Sequence, residues 1–547
     1  MKNMKLYTIM KFKLFIGISI ILFSGLSACS DYLNLEPQDG VITEEFWQNK
    51  EEVKDAVMGC YAGMMSYSNM ERFIWWGELR ADLIKPRTTG SLFTQMDNFQ
   101  NGDITSTMSY CSWADAYKVI NNCNTVLNYA KETKNLDASF TDELLHQYEA
   151  EAICVRSLMY FYLVRTFKDV PYITKASVSD NQDYRVPKTN GEIIIDSLIS
   201  DLKSVDRTEN GSNFGIPFNY GTDVKSNKGR FTVWSLKALL ADIYLWKEDY
   251  ENCEKECNQI INSGQFTLVP VHSTAAEVED LYKNIHIIYF PNEGDADNLF
   301  TNMYVNGNSV ESIFELQFGT DYQNPFYAYF NPINGYLTAN TEVLSASGLF
   351  TPSSLDRGWY DIRGEGIDYK QGYVWKWIGL SRNSYTYRAL GQSFSNWIFY
   401  RLADVILMKA EALCEIGKAN SDTTQLRASL DLVKQIRLRA CAPESTNMIP
   451  DETMLNADVL EKFILTERAR EFAHEGKRWF DVLRNAKRNN YAGISYLIEL
   501  AAYSAIPEKV SSLESKWRGS YYSHYLPIYE NELKVNKALV QNPFYAK

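Results

Sequence analysis

The pattern that most limits how this chain can fold lies between residues 231 and 263. Ala241 and Tyr244, then Cys253, Cys257 and Ile260, recur at intervals of three and four residues across one longer step. Three- and four-residue intervals place side chains on one face of a helix. The longer step fits a turn that sets a second helix against the first. Small or medium apolar side chains are needed where paired helices cross, so Cys253 and Cys257 read as packing residues. Residues 401–439 repeat the theme with Ala410, Leu413, Gly417, Ala428 and Leu432. Helix pairs that recur in this way stack into a superhelix, so the expected fold class is mostly α.

The intervals are those of a tetratricopeptide helix pair. Other helical stripes are Glu51–Met65 with Val53, Val57 and Tyr61, Trp113 to Ala130, Leu144–Phe167 and Ile193–Val205. Residues 66–110 and 265–400 read as irregular, apart from a short strand over Ser312–Phe318. Long irregular stretches in a compact protein usually carry function.

The N-terminus reads as a targeting segment. Lys2, Lys5, Lys11 and Lys13 precede an apolar run from Leu14 to Ala28, too short to span a bilayer. The run ends in Leu26-Ser27-Ala28-Cys29, the pattern cleaved by lipoprotein signal peptidase, so residues 1–28 are expected to be removed and Cys29 lipidated. Several acyl chains would anchor the chain stably to a membrane. The remainder carries 51 basic against 68 acidic side chains, a net charge of −17. Such an acidic chain is a poor partner for nucleic acid.

Catalytic and metal motifs are missing from the sequence. No GxSxG, HExxH or phosphate-binding loop occurs. Glu467, Glu471 and Glu475 share a helix face, and paired carboxylates are what glycosidases use. Arg468, Arg470, Lys477 and Arg478 interleave with them, and a carboxylate held by arginine is a poor general acid. The segment therefore reads as a structural ion-pair network, with Glu475 and Arg478 as partners beside Trp479. Asn292–Asn298 clusters oxygens suited to a structural Ca²⁺ but lacks a full calcium loop, and reads as a solvated acidic loop. No cofactor is expected, and the eight cysteines after Cys29 read as buried thiols.

Aromatic residues are abundant: 36 Tyr, 27 Phe and 12 Trp. An aromatic ring off any helical stripe can stack on the apolar face of a sugar. Candidates are Trp75 and Trp76 with Arg80 and Asp82, Phe93 with Asn98, and Tyr322, Phe326, Tyr327 and Tyr336. Trp359, Tyr373, Trp375 and Trp377 form a further cluster, although Trp375 and Trp377 alternate as a strand would, which equally suits the core. Trp113, Trp234, Trp246 and Trp479 lie on helical patterns and read as packing residues. The two irregular stretches, 66–110 and 319–380, are expected to meet on one face.

Three segments carry a resemblance: Ala150–Ile173 with Arg185-Val186-Pro187 and Glu192; Thr466–Arg484; and Leu526-Pro527-Ile528 through Glu530, Glu532, Asn536, Leu539, Gln541-Asn542-Pro543 and Tyr545. Together with Asp31-Tyr32-Leu33 and Phe46-Trp47, they resemble the SusD/RagB family from Cys29 to the C-terminus. The resemblance implies four tetratricopeptide-like helix pairs supporting a loop-rich ligand-binding subdomain. The expected layout is an N-terminal part at 29–264, an irregular ligand-binding region at 265–400 and a helical part at 401–547. It further implies a non-catalytic lipoprotein on the exterior of the outer membrane, which binds oligosaccharide for a SusC-like TonB-dependent transporter. The alternatives are a tetratricopeptide scaffold for peptides or a protein partner and, behind it, a hydrolase.

Overall fold

A computed structural model describes residues 46–546, apart from 90, 179–181, 210–213, 280–282, 284, 347–348, 351–360 and 443–454. Cys29 and Trp359 lie outside the described residues. The chain enters at Phe46 and Trp47. Helix α1 (Lys50–Met65) begins at Asn49, whose side chain accepts from the Glu52 amide while Glu52 accepts from the Asn49 amide. Its stripe buries Val53, Val57 and Tyr61 as the spacing predicts.

Residues 66–110 depart from the irregular segment read from the sequence. Ser66 caps a short helix, α2 (Tyr67–Ile74), which runs on into a π-helical turn over Trp75–Leu79. Strand β1 (Ile84–Pro86) and helix α3 (Phe93–Gln100) follow. Each element is too short to show a stripe, so the high Asn and aromatic content masks it.

The long helices fall where the stripes place them: α4 (Ala114–Leu136), α5 (Asp142–Phe167) and α6 (Gly191–Val205). From Ala150 to Phe167, α5 is buried on nearly every side except at Ile153, as expected of a central helix. The pair expected over 231–263 is α7 (Val233–Lys247) and α8 (Tyr250–Asn262). Glu248 ends α7 in the left-handed region (φ 68°) and turns the chain back. Cys253 and Cys257 are buried, and all eight cysteines from Cys60 to Cys441 are free thiols inside the protein.

The described residues of 265–400 form more secondary structure than the composition suggests. A hairpin of β2 (Ser273–Glu279) and β3 (Ile285–Pro291) leads into α9 (Glu293–Phe300). Strand β4 (Ser312–Leu316), helix α10 (Phe326–Phe330), strand β5 (Leu337–Ala339) and strand β6 (Trp397–Arg401) follow. Antiparallel pairs β1–β5 and β4–β6 tie distant parts of the chain together, Ile84 lying opposite Ala339. The acidic stretch at 292–298 is largely the helix α9 rather than an open loop. Arg382 pairs with Glu293 and lies 4.0 Å from Asp297, while the His272 ring bonds Asp295 at 2.7 Å.

The second helix pair is α11 (Leu402–Asn420) and α12 (Thr423–Arg439), followed by α13 (Ala457–Glu471) and α14 (Arg478–Tyr491). Here the expected ion-pair network is present and fully buried. Glu467 binds Arg363 at 2.8 Å and Arg437 and Arg470 at 3.0 Å. Glu471 binds Arg401 at 2.6 Å and Arg363 at 2.8 Å, and also Arg439. The expected Glu475–Arg478 pair is corrected. Glu475 binds Arg401 and Lys376, each at 3.0 Å, while Arg478 grips Asp82 across the fold. Gly476 (φ 70°) turns the chain between them, so the two side chains leave in different directions. Spacing along one segment cannot reveal partners supplied by residues 82, 376 and 401.

Candidate functional site

The β1–β5 pairing brings the two aromatic-rich regions together. The Arg87 amide donates to the Tyr336 carbonyl at 2.8 Å, and Asn340 donates to the Leu83 carbonyl through its backbone and to the Asp82 carbonyl through its side chain. Beneath this seam, the Trp75 indole N–H donates to the Tyr329 hydroxyl at 3.0 Å, which donates to the Glu71 carboxylate at 2.7 Å. Trp75 also stacks on Tyr110 at 3.5 Å, and Tyr329 meets Tyr336 edge to face at 5.5 Å. The result is a layered aromatic block with Trp75 as its floor.

Tyr336 joins this block through Tyr329, and Tyr67 opens the helix α2 that runs into the Trp75 turn. Tyr67 is 51% exposed. Partial burial, then Glu71, Tyr336 and Tyr110, push its hydroxyl up to about 12, and Glu71 follows it by one turn on the same helix. The Glu71 carboxyl is also raised, chiefly by burial, although Arg72 lies 4.0 Å away. Arg87 extends the patch: it donates to the carbonyls of Asn331, Pro332 and Ile333 and sits 5.9 Å from the Tyr373 ring centroid. A planar cation, a carboxyl and several ring faces are the groups that grip a polar ring-shaped ligand.

Several residues singled out from the sequence are not accessible and are corrected here. Trp75 and Trp76 are buried, the second donating to the Tyr110 carbonyl at 2.9 Å. Both lie on the π-helical turn, whose short span hid their inward direction. Arg80 is buried against Trp479, 3.9 Å from its ring centroid, and donates to the His524 and Ser523 carbonyls. Asp82 is the buried partner of Arg478. Phe326 is packed between Trp377 and Trp397. Trp375 and Trp377 are buried, the core alternative that their alternation offered, whereas Tyr373 is half-buried.

The other candidates reach the surface. Phe93 and Asn98 are half-buried on α3, whose Phe99 packs on Trp75. Tyr322 is 43% exposed and stacks on Phe318, while Tyr327 and Tyr336 are half-buried. Sequence reasoning missed Tyr67, Glu71, Arg87, Tyr110 and Tyr329. Tyr67 follows the cap residue Ser66 and lies beyond the α1 stripe, which was the available signal.

Comparison with known proteins fits this architecture. A family model described as the SusD family matches residues 359–545, and one described as starch-binding associating with outer membrane matches residues 31–245. The chain belongs to the SusD/RagB family. SusD-like protein P38 of Formosa agariphila is 26% identical over 86% of this chain and 90% of that one. A SusD-like protein of Bacteroides ovatus is 25% identical over 87% of this chain and 82% of the other. Among solved structures, a SusD superfamily protein of Bacteroides vulgatus has a TM-score of 0.68 at 18% identity, covering 91% of this chain and all of that one. One from Bacteroides thetaiotaomicron has a TM-score of 0.64 at 20% identity, covering 91% and 99%. The SusD/RagB assignment makes this a carbohydrate-binding, outer-membrane protein without catalytic activity. Among the described residues no helix is long and apolar enough to cross a membrane.

Proposed function

We propose that this protein captures oligosaccharides on the Tyr67–Tyr336 face and passes them to a SusC-like TonB-dependent transporter, held outside the cell by lipid on Cys29. The observation that carries the reading is the exposed Tyr67 ring one helical turn from Glu71, which accepts from Tyr329 in the block of Trp75, Tyr110, Tyr329 and Tyr336. A pyranose stacks its C–H face on such a ring. Glu71 and Arg87 flank the rings and offer an acceptor and planar donors to hydroxyl groups. Tyr322, Tyr327, Phe93 and Asn98 would extend the face for a longer chain. Each sugar ring gains modestly, because its hydroxyls exchange water for protein at little net benefit. Attachment of binding protein and transporter to one membrane raises their effective concentration.

The test is titration calorimetry of the purified protein against a panel of outer-membrane-importable glycans, followed by the cognate glycan with Tyr67→Ala. Binding by the native protein and its loss in the variant support the reading. Full affinity in the variant moves the site elsewhere.

A further inference from the structure

A second concavity shares no lining residue with the aromatic face. It is a cleft of about 440 Å³ between the first half of α4, the 171–184 segment and the C-terminal helix α15 (Glu530–Val535). Its walls are largely apolar, including Tyr117, Ile173, Val535 and Leu539. Val535 is 81% exposed at its rim. An open apolar cleft rimmed by exposed aliphatic groups marks a place where something docks.

The entry point of the chain says what. Trp47 stacks on Tyr129 at 5.1 Å, and its carbonyl accepts from the Thr133 hydroxyl, both on the second half of the same helix α4. Ala114, Lys118, Asn122, Thr125 and Tyr129 recur at three- and four-residue spacing, so one ridge runs from Trp47 back into the cleft. From Tyr129 to Tyr117 the helix rises about 18 Å. The eight residues 38–45 between Pro37 and Phe46 reach about 26 Å when extended, which covers that rise. In that stretch Leu33, Leu35 and Pro37 alternate, so an extended strand presents all three on one side. Asp31 and Glu36 beside them are opposite in charge to Lys118, which is exposed at the cleft and lies 2.9 Å from Asp115.

We infer that the segment Asp31–Pro37 docks in this cleft, with Leu33 and Leu35 on Tyr117 and Leu539. Docking there fixes where the chain leaves the body of the protein. If Cys29 carries lipid, as proposed above, the anchor then emerges beside α15 and orients the protein on its membrane.

The experiment places p-benzoylphenylalanine at Leu35 of the full chain and irradiates it. The expected adducts are intramolecular, on peptides covering 113–124, 171–178 or 530–540. Adducts elsewhere, on another molecule, or on nothing overturn the inference. Hydrogen exchange on the full-chain Leu33→Asp/Leu35→Asp variant is the second measurement. It should show at least several-fold faster exchange at 117–124 and 533–539, with α13 unchanged. Unchanged protection at the cleft is equally decisive against it. Neither readout depends on Cys29 or on glycan binding, so its failure is separable from failure of the proposed function.

Discussion

Trp75 and Tyr329, 254 residues apart in sequence, are joined by a 3.0 Å hydrogen bond from the indole N–H to the phenol oxygen. The bond locks the π-helical turn after α2 to helix α10, and so fixes the aromatic face between them. Trp75 therefore supports the face from beneath. Trp75→Ala should destabilise the protein by about 3–5 kcal/mol, the usual result of emptying a large core site. Tyr67→Ala should leave the melting temperature within about 2 °C, since surface changes rarely exceed about 0.5 kcal/mol, and weaken glycan binding by about 1–3 kcal/mol, by analogy with base–aromatic stacking. Thermal unfolding and calorimetry on both variants check this. The reverse pattern would make Tyr67 the structural residue.

The contrast between those tyrosine and tryptophan positions shows what a sequence can reveal. Helices α1 and α4 were legible because burial on one side repeats over several turns, and α5 and α7, buried almost all round, because apolar residues are sustained over a helix's length. Cys253 and Cys257 were correctly read as packing residues from spacing alone. The meeting of 66–110 with 319–380 was anticipated from their shared aromatic excess and is made by β1 and β5. The direction of each ring was not legible. Trp75, Trp76 and Phe326 sit in elements of five residues, where no period can develop. Their burial is decided by partners such as Tyr329, Trp377 and Trp397, hundreds or tens of residues away.

Gly77 makes a different kind of contact. A Cβ at that position would lie 1.9 Å from the Gly476 carbonyl oxygen, a backbone atom unable to step aside. The π-helical turn thus packs directly on the turn that separates Glu475 from Arg478. Gly77→Ala should cost about 1–3 kcal/mol or more through overpacking, read as a lower midpoint in urea with an unchanged slope. A wild-type midpoint would show that the two turns are not held against each other.

The anchor is testable without a glycan. With Cys29 as the lipidated residue, Cys29→Ala should move the protein from the membrane fraction to the soluble fraction, since the described residues contain no candidate membrane span. Fractionation and immunoblotting of cells making each form measure it. A processed Cys29→Ala protein that stays with the membrane sinks the lipidation reading.

Buried charge gives the protein a pH optimum whose two limbs have separate causes. Although burial opposes it, neighbouring Arg363, Arg437 and Arg470 hold the Glu467 carboxyl down at about 2. Arg484 and Arg488 do the same for Glu411, also to about 2. Groups depressed in the folded state stabilise it above their unfolded values, near 4.5, and that stability is lost as pH falls toward 2. Glu78 acts in the opposite sense. Burial raises it to about 8 even though the His474 and Gly476 amides donate to its oxygens. The folded protein then holds a proton that the unfolded chain releases, so its contribution is complete below about 4.5 and fades as pH rises through 8. Glu78→Gln cannot titrate. Relative to this variant, the native protein should therefore lose melting temperature steadily from pH 5 to pH 8.5, whatever constant offset the lost acceptor oxygen introduces. The two should run parallel across the acid limb, where Glu411 and Glu467 act in both. Parallel curves between pH 5 and pH 8.5 would mean that Glu78 is ionised in the folded protein at neutral pH, held by the two amide donors against the cost of its burial.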